Sequence, residues 1–182
     1  MILTGPEIEK QVAAGRIRIE PFDPSRLSPN SYDFLLGDEI CWYVDEVLDC
    51  RVENKVRYAT IPEHGTVLEP GRIYLAGTAE RMGSEHYVPI IRARSSIARL
   101  GLFIHVTADL IDIGSINNWT LQLHAVQPVR VYPGMRIGQV TFWSVEGEIE
   151  LYRGKYQHSR RPMPSMIHRD FSDEELTTQP VG

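Results

Sequence analysis

Apolar and polar residues alternate along most of this chain in short runs separated by Pro and Gly turns, the period-two pattern of half-buried strands. Arg16 to Glu20 sets Ile17 and Ile19 on one side. Ser31 to Leu36 reads as a strand, Gly37-Asp38 as a turn, and a second strand follows through Trp42 and Val44. Val56 to Ile61 is a weaker strand. Thr66 to Leu68 and Ile73 to Ala79, flanking Pro70-Gly71, read as a hairpin. Val88 to Ala93, Trp119 to Val126, Val129 to Val131, Ile137 to Val145 and Ile149 to Tyr152 complete the strand series. Residues 4–14 are helical by pattern: Thr4 and Glu7 form a capping box, Pro6 lies in the first turn, Ile8 and Val12 share a face, and Gly15 stops the helix. This order predicts a mostly β fold, sandwich or barrel-like, with one or two short helices. Residues 1–171 are expected to form a single domain, and 172–182 a loose tail.

Composition narrows the function classes. The chain has 182 residues, 42% hydrophobic and 24% charged, with net charge −5. That balance suits an ordinary globular protein and argues against a whole-chain attraction to nucleic acid. No membrane-length apolar run or secretory leader is read from the sequence, and Cys41 and Cys50 suggest neither a disulfide framework nor a zinc site. A reduced, cytoplasmic setting is expected. The H-x-E and P-C-x-x-C pair of zinc-dependent base deaminases is missing, as are a Walker A loop and G-x-G-x-x-G.

The chemistry-bearing residues fall into four groups. Arg92, Arg94, Ser95, Ser96 and Arg99 cluster ahead of the apolar Leu100, Leu102, Phe103 and Ile104. Guanidinium forks beside hydroxyls suit phosphate; the plainer reading is a solvated basic turn. Asp112 precedes the Gly114 turn and suits a sugar hydroxyl or a simple turn cap. Alternation puts Thr120, Gln122 and His124 on one strand face, opposite Trp119, Leu121, Leu123 and Ala125. Finally, Tyr152 to Pro162 interleaves Arg153, Lys155, Arg160 and Arg161 with Tyr152 and Tyr156, either as a nucleotide cover or as a basic surface loop.

Several of these runs carry a resemblance. P-N-S-Y-D-F-L-L-G-D, L-E-P-G-R-I-Y-L-A-G-T-A-E, R-S-S-I-A-R-L-G-L, H-V-T-A-x-x-I-D, P-G-M-R-I-G-Q and G-K-Y-Q together resemble the dCTP deaminases of the trimeric dUTPase-like superfamily, over most of the chain. The resemblance implies a distorted β jelly-roll in a homotrimer with sites between subunits. It implies conversion of dCTP to dUTP and ammonia without zinc, with Mg²⁺ carried by the triphosphate, and dUTP hydrolysis in some members. It implies that Arg94 and Ser96 meet phosphates, and that Ser95 and Arg99 flank cytosine C4 and its water. Main chain at Val106, Thr107 and Ala108 would read the base, and Asp112 the 3′-hydroxyl. Lys155, Tyr156 and Gln157 would close over the nucleotide.

This chain departs from the family pattern at Gln122, where a glutamate acts as general base. An amide positions water but cannot shuttle a proton. Ser115 stands for an aromatic and Asn117 for a glycine. Ser159 and Arg161 replace a Gln and a Gly after K-Y-Q, and Met166 replaces an Arg. His124, on the same face as Gln122, is a candidate substitute base. Three functions are therefore expected as alternatives: a dCTP deaminase, a nucleotide-binding homologue without turnover, and a dUTPase-like pyrophosphatase using Asp112.

Overall fold

The computed structural model describes residues 1–171, so the expected tail at 172–182 lies outside the described residues. The molecule is mostly β. Helix α1 (Gly5–Ala13) opens the chain, and α2 (Ser95–Ala98) is one turn long. Pro6 sits in the first turn of α1, but the Thr4 side chain makes no cap bond. The expected capping box is not formed, because the Glu7 carboxylate is drawn along the helix to Gln11 and Lys10.

The strands are β1 (Arg18–Glu20), β2 (Leu27–Ser28), β3 (Ser31–Tyr43), β4 (Val56–Thr60), β5 (Thr66–Leu68), β6 (Tyr74–Thr78), β7 (Arg81–Gly83), β8 (Tyr87–Ala93), β9 (Leu102–Phe103), β10 (Thr120–Ala125), β11 (Val129–Val131) and β12 (Arg136–Ser144). An eight-stranded sheet runs β8-β12-β3-β6-β10-β9, with β2 and β4 also paired to β3. The two-stranded pairs β1-β7 and β5-β11 complete a barrel-like shape.

Three strand expectations are corrected. Gly37-Asp38 is not a turn, because β3 passes through it as one strand with a register shift against β6 between Leu36 and Ile40. A Cβ on Gly37 would lie 2.9 Å from the Gly77 carbonyl oxygen, so glycine permits the close backbone approach. Thr66–Leu68 and Ile73–Ala79 do not pair with each other: β5 joins β11, and β6 lies between β3 and β10. Nearness in sequence does not decide the pairing, because strand preference depends on cross-strand packing and burial. Residues 149–152 form no strand.

Alternate residues of β3 and β12 fill the core. Tyr32, Phe34, Leu36, Val140 and Phe142 are fully buried together with Leu121 and Leu123 of β10. Each such side chain contributes about 1.5–3 kcal/mol of burial. β12 comes so close to β3 that a Cβ on Gly138 would stand 2.1 Å from Phe34 Cζ and 2.7 Å from Ile104 Cδ1.

Candidate functional site

Burial alternates strictly along β10. Leu121, Leu123 and Ala125 enter the core, which turns Thr120 and Gln122 the other way, as the pattern predicts. These two line a cavity of about 470 Å³ with Ala108, Asp112, Tyr152 and Tyr156. Gly114, at φ +89°, makes the turn that lets Leu151 and Tyr152 approach; a Cβ there would lie 2.9 Å from Leu151 Cβ.

The segment after residue 152 roofs the cavity. The Met163 amide donates to Thr120 Oγ1 at 3.0 Å, Ser165 N–H to the Tyr43 hydroxyl at 2.8 Å, and Met166 N–H to the Tyr156 hydroxyl at 2.9 Å. Burial pushes the Tyr43 hydroxyl pKa above its ordinary value. Tyr43, Tyr152 and Tyr156 make the cavity wall aromatic, and among the described residues its lining includes no Lys, Arg or His.

Gln122 is held at both ends of its residue. Its N–H donates to the Ile104 carbonyl at 2.9 Å, and its Nε2 to the Thr120 carbonyl at 3.1 Å. Its Oε1 is shielded from water and has no hydrogen-bond partner among the described residues. Among the described residues, Asp112 is the sole carboxylate in the lining. Its backbone carbonyl accepts from Ser115 N–H at 3.0 Å, closing the turn, while its side chain is exposed. His124 does not line this cavity; its ring lies 6.2 Å from that of Phe103.

The Arg/Ser turn stands apart from the cavity: Arg94, Ser95, Ser96 and Arg99 are absent from its lining. Ile97 pins α2 to the core, leaving Ser95, Ser96 and Arg99 exposed. Among the described residues, no side-chain hydrogen bond or ion pair engages these three. Arg94 occupies the N-cap position of the helix without a side-chain cap bond, and its Nε lies 3.2 Å from Asp33 Oδ2. Arg92 pairs with Asp109. Between the turn and the cavity runs the loop carrying Val106 and Thr107, both exposed, and Ala108, which reaches the cavity.

In the closing segment Tyr152, Tyr156 and Ser159 line the cavity, and its basic residues do not. The Lys155 ammonium bonds Asp170, with its nitrogen 5.9 Å from the Tyr156 ring centroid. Arg161 stacks over Tyr58 at 4.0 Å. Gln157 donates from Nε2 to the Gly114 carbonyl at 2.9 Å and the Tyr152 carbonyl at 3.2 Å, so it braces the cavity turn from behind.

Sequence reasoning missed Asp33 and Arg136. Asp33 is 3% exposed and receives Arg94, Arg136 at 3.7 Å and the Gln139 amide at 3.2 Å. The signal was a lone carboxylate inside the apolar run S-Y-D-F-L-L, a position that needs a cationic partner. Four of the departures from the family pattern, Ser115, Asn117, Gln122 and Ser159, line the one cavity.

Comparison with known proteins fits this architecture. The dCTP deaminase-like family (DCD) matches residues 2–145. Proteins named "dCTP deaminase, dUMP-forming" from Hathewaya histolytica and Cytophaga hutchinsonii are each 46% identical over 172 residues, covering 94% of this chain and 99% of the relative. A solved 2′-deoxycytidine 5′-triphosphate deaminase from Agrobacterium tumefaciens superposes with TM-score 0.60 at 22% identity, over 78% of this chain and 47% of that longer one, and it shows the shared fold. The expected product is corrected: these relatives are named for forming dUMP, not dUTP. By its matched length and its identity to these relatives, the chain belongs to the dCTP deaminase-like family.

Proposed function

We propose that this protein acts on dCTP and releases dUMP, ammonia and pyrophosphate, with Gln122 making deamination the slow step. Two waters are consumed. One adds at cytosine C4: its oxygen becomes the C4 carbonyl, one of its protons goes to ring N3, and the other leaves with the exocyclic NH2 as ammonia. The other attacks the α-phosphorus and expels pyrophosphate. The observation that carries this reading is the cavity beneath Thr120 and Gln122, of a size to hold a pyrimidine nucleoside, with Asp112 at its turn. Asp112 accepts from the deoxyribose 3′-hydroxyl, and main chain at Val106, Thr107 and Ala108 reads the base.

Arg94 and Ser96 meet phosphate, while Ser95 and Arg99 orient the water at C4. The exposed Ser95, Ser96 and Arg99, together with the exposed apolar Leu100, Phe103, Val106 and Leu110, support a site completed by a neighbouring copy in a homotrimer. Mg²⁺ arrives on the triphosphate: the Arg/Ser turn offers donors to anions rather than ligands to a cation. Lys155, Tyr156 and Gln157 belong to the cover that excludes water. The protein works on the cytoplasmic nucleotide pool.

A second reading, nucleotide binding without turnover, is favoured by Gln122 itself. An amide cannot take a proton from water and pass it to the leaving amine, and losing a general base lowers rates roughly 10²–10⁴-fold. Ammonia, dUMP and pyrophosphate are to be measured with dCTP and Mg²⁺ for the parent and Gln122→Glu. The first reading expects slow dUMP formation by the parent, accelerated at least about 10²-fold in the variant. No ammonia from either, with dCTP bound, selects the second.

A further inference from the structure

We infer that the cavity admits a ribonucleotide, with the Ser115–Asn117 side-chain pair receiving the 2′-hydroxyl of a cytidine nucleotide. The inference rests on the reading of the cavity as a nucleotide site with Asp112 at the sugar, and it extends that site from deoxyribose to ribose.

Ser115 and Asn117 both line the cavity, and Asn117 Nδ2 lies 2.9 Å from Ser115 Oγ. An amide and a hydroxyl can share that bond in either sense. With the amino end toward Ser115, Asn117 Oδ1 is the spare acceptor and the serine O–H the spare donor. With the amide reversed, the serine donates, its oxygen is the spare acceptor and the amino group the spare donor. Both arrangements leave one donor and one acceptor over. Asn117 is 3% exposed, its Oδ1 has no hydrogen bond among the described residues, and Ser115 Oγ makes no other bond among them. Buried polar groups in that state are unfavourable until a partner reaches them.

The pair is held in place from behind. The Asn117 N–H donates to the Met82 carbonyl at 3.0 Å, and the Met82 N–H to the Asn117 carbonyl at 2.8 Å. β7 packs so closely here that a Cβ on Gly83 would stand 2.4 Å from the Ser115 carbonyl oxygen. The main chain of Asn117 is thus fully engaged, and what it offers an occupant of the cavity is its side chain.

A spare donor beside a spare acceptor is the complement of a hydroxyl, which gives one hydrogen bond and takes another. Its place in the cavity says which hydroxyl. Asp112 and Ser115 are the two ends of one turn, closed by the Ser115 N–H on the Asp112 carbonyl at 3.0 Å, so their Cα atoms lie within about 7 Å. With the 3′-hydroxyl at Asp112, its neighbour on the same face of the sugar ring is the 2′ substituent. Ribose carries a hydroxyl there. Deoxyribose carries hydrogen and leaves both spare groups unmet.

The test is calorimetric. Affinities of the full-length protein with Mg²⁺ are measured for CTP, dCTP and the arabinose epimer of CTP, whose 2′-hydroxyl points to the other face, with recovered ligand checked for deamination. CTP is expected to bind at least as tightly as dCTP and at least about tenfold tighter than the epimer, the worth of one buried hydrogen bond. Asn117→Ala is expected to cost CTP about tenfold and dCTP no more than about threefold. Tighter binding of dCTP than of CTP by the parent, an epimer bound as well as CTP, or an equal loss for CTP and dCTP in Asn117→Ala would overturn the inference and leave the proposed function standing. Failure of the parent to bind any of the three would remove the nucleotide reading along with it. The ligand series on the parent needs no variant, so a folding defect in Asn117→Ala does not shield the inference.

Discussion

The Asp33 carboxylate holds the Arg94 guanidinium at 3.2 Å, joining the middle of the sheet to the first residue before α2. Asp33 is otherwise an isolated charge in a packed strand, so its partners decide whether it is tolerable there. Arg94 is thereby fixed in direction, while the Ser95 and Ser96 hydroxyls beside it have no partner among the described residues. Asp33→Asn keeps the shape and removes the charge. We expect a loss of about 1–3 kcal/mol in thermal unfolding at neutral pH, and weaker binding of a nucleoside triphosphate. Unchanged stability and unchanged affinity would show that the pair neither supports the sheet nor orients Arg94.

Ser95 and Arg99 offer the opposite case, since both are exposed and unpaired among the described residues. Ser95→Ala and Arg99→Ala should leave stability within about 0.5 kcal/mol of the parent. In a Gln122→Glu background each should lower ammonia release from dCTP by at least about tenfold. Full activity in both double variants would remove these residues from the reaction.

Gly138 tests how tightly the sheet is closed behind the site. An added methyl would collide with Phe34 and Ile104, and Ile104 supplies the carbonyl that anchors the Gln122 backbone. Gly138→Ala should cost about 1–3 kcal/mol through overpacking, read as a lower urea midpoint at unchanged m-value. A midpoint equal to the parent's would mean that Phe34 yields freely.

His105 gives the chain a pH signature. Burial, with the nearby Arg92 cation, holds its pKa below the ordinary 6.5. The unfolded chain therefore takes up a proton first as pH falls. The residue contributes nothing to the slope well above 6.5, and stability declines as pH drops from 6.5 through the folded-state value. His105→Gln should flatten the fall in melting temperature between about pH 7 and about pH 5 relative to the parent. Superimposable profiles would assign that fall to other groups.

Much of the strand content could be read from periodicity, because β10 and β12 alternate cleanly. Partnering could not: Thr66–Leu68 sits a short turn from Ile73–Ala79 yet pairs with β11, and only tertiary burial makes that choice. Gly37-Asp38 looked like a turn because glycine serves turns and bulges alike. At the site, Asp112, Gln122, Ala108 and Tyr156 come to one cavity, whereas the arginines do not. Motif reading assigned Arg94 and Arg99 to phosphate and base in a single step. The fold instead presents them on an exposed turn, where completing a site needs a second surface. Asp33 escaped notice because a strand carboxylate looks like one polar position among others until its burial is seen.

Strand β3 pairs with β2, β4, β6 and β12, and the last of these begins a hundred residues after β3 starts. During synthesis its edge toward β12 must wait until Val140 has left the ribosome. For that interval Tyr32 and Phe34 lack Val140 and Phe142, members of the same buried core, and a row of strand N–H and C=O groups stands open. Closing so long a loop before the sheet can zip also makes folding slow. The arrangement that gives the finished molecule its sealed centre thus makes the growing chain depend on protection from aggregation.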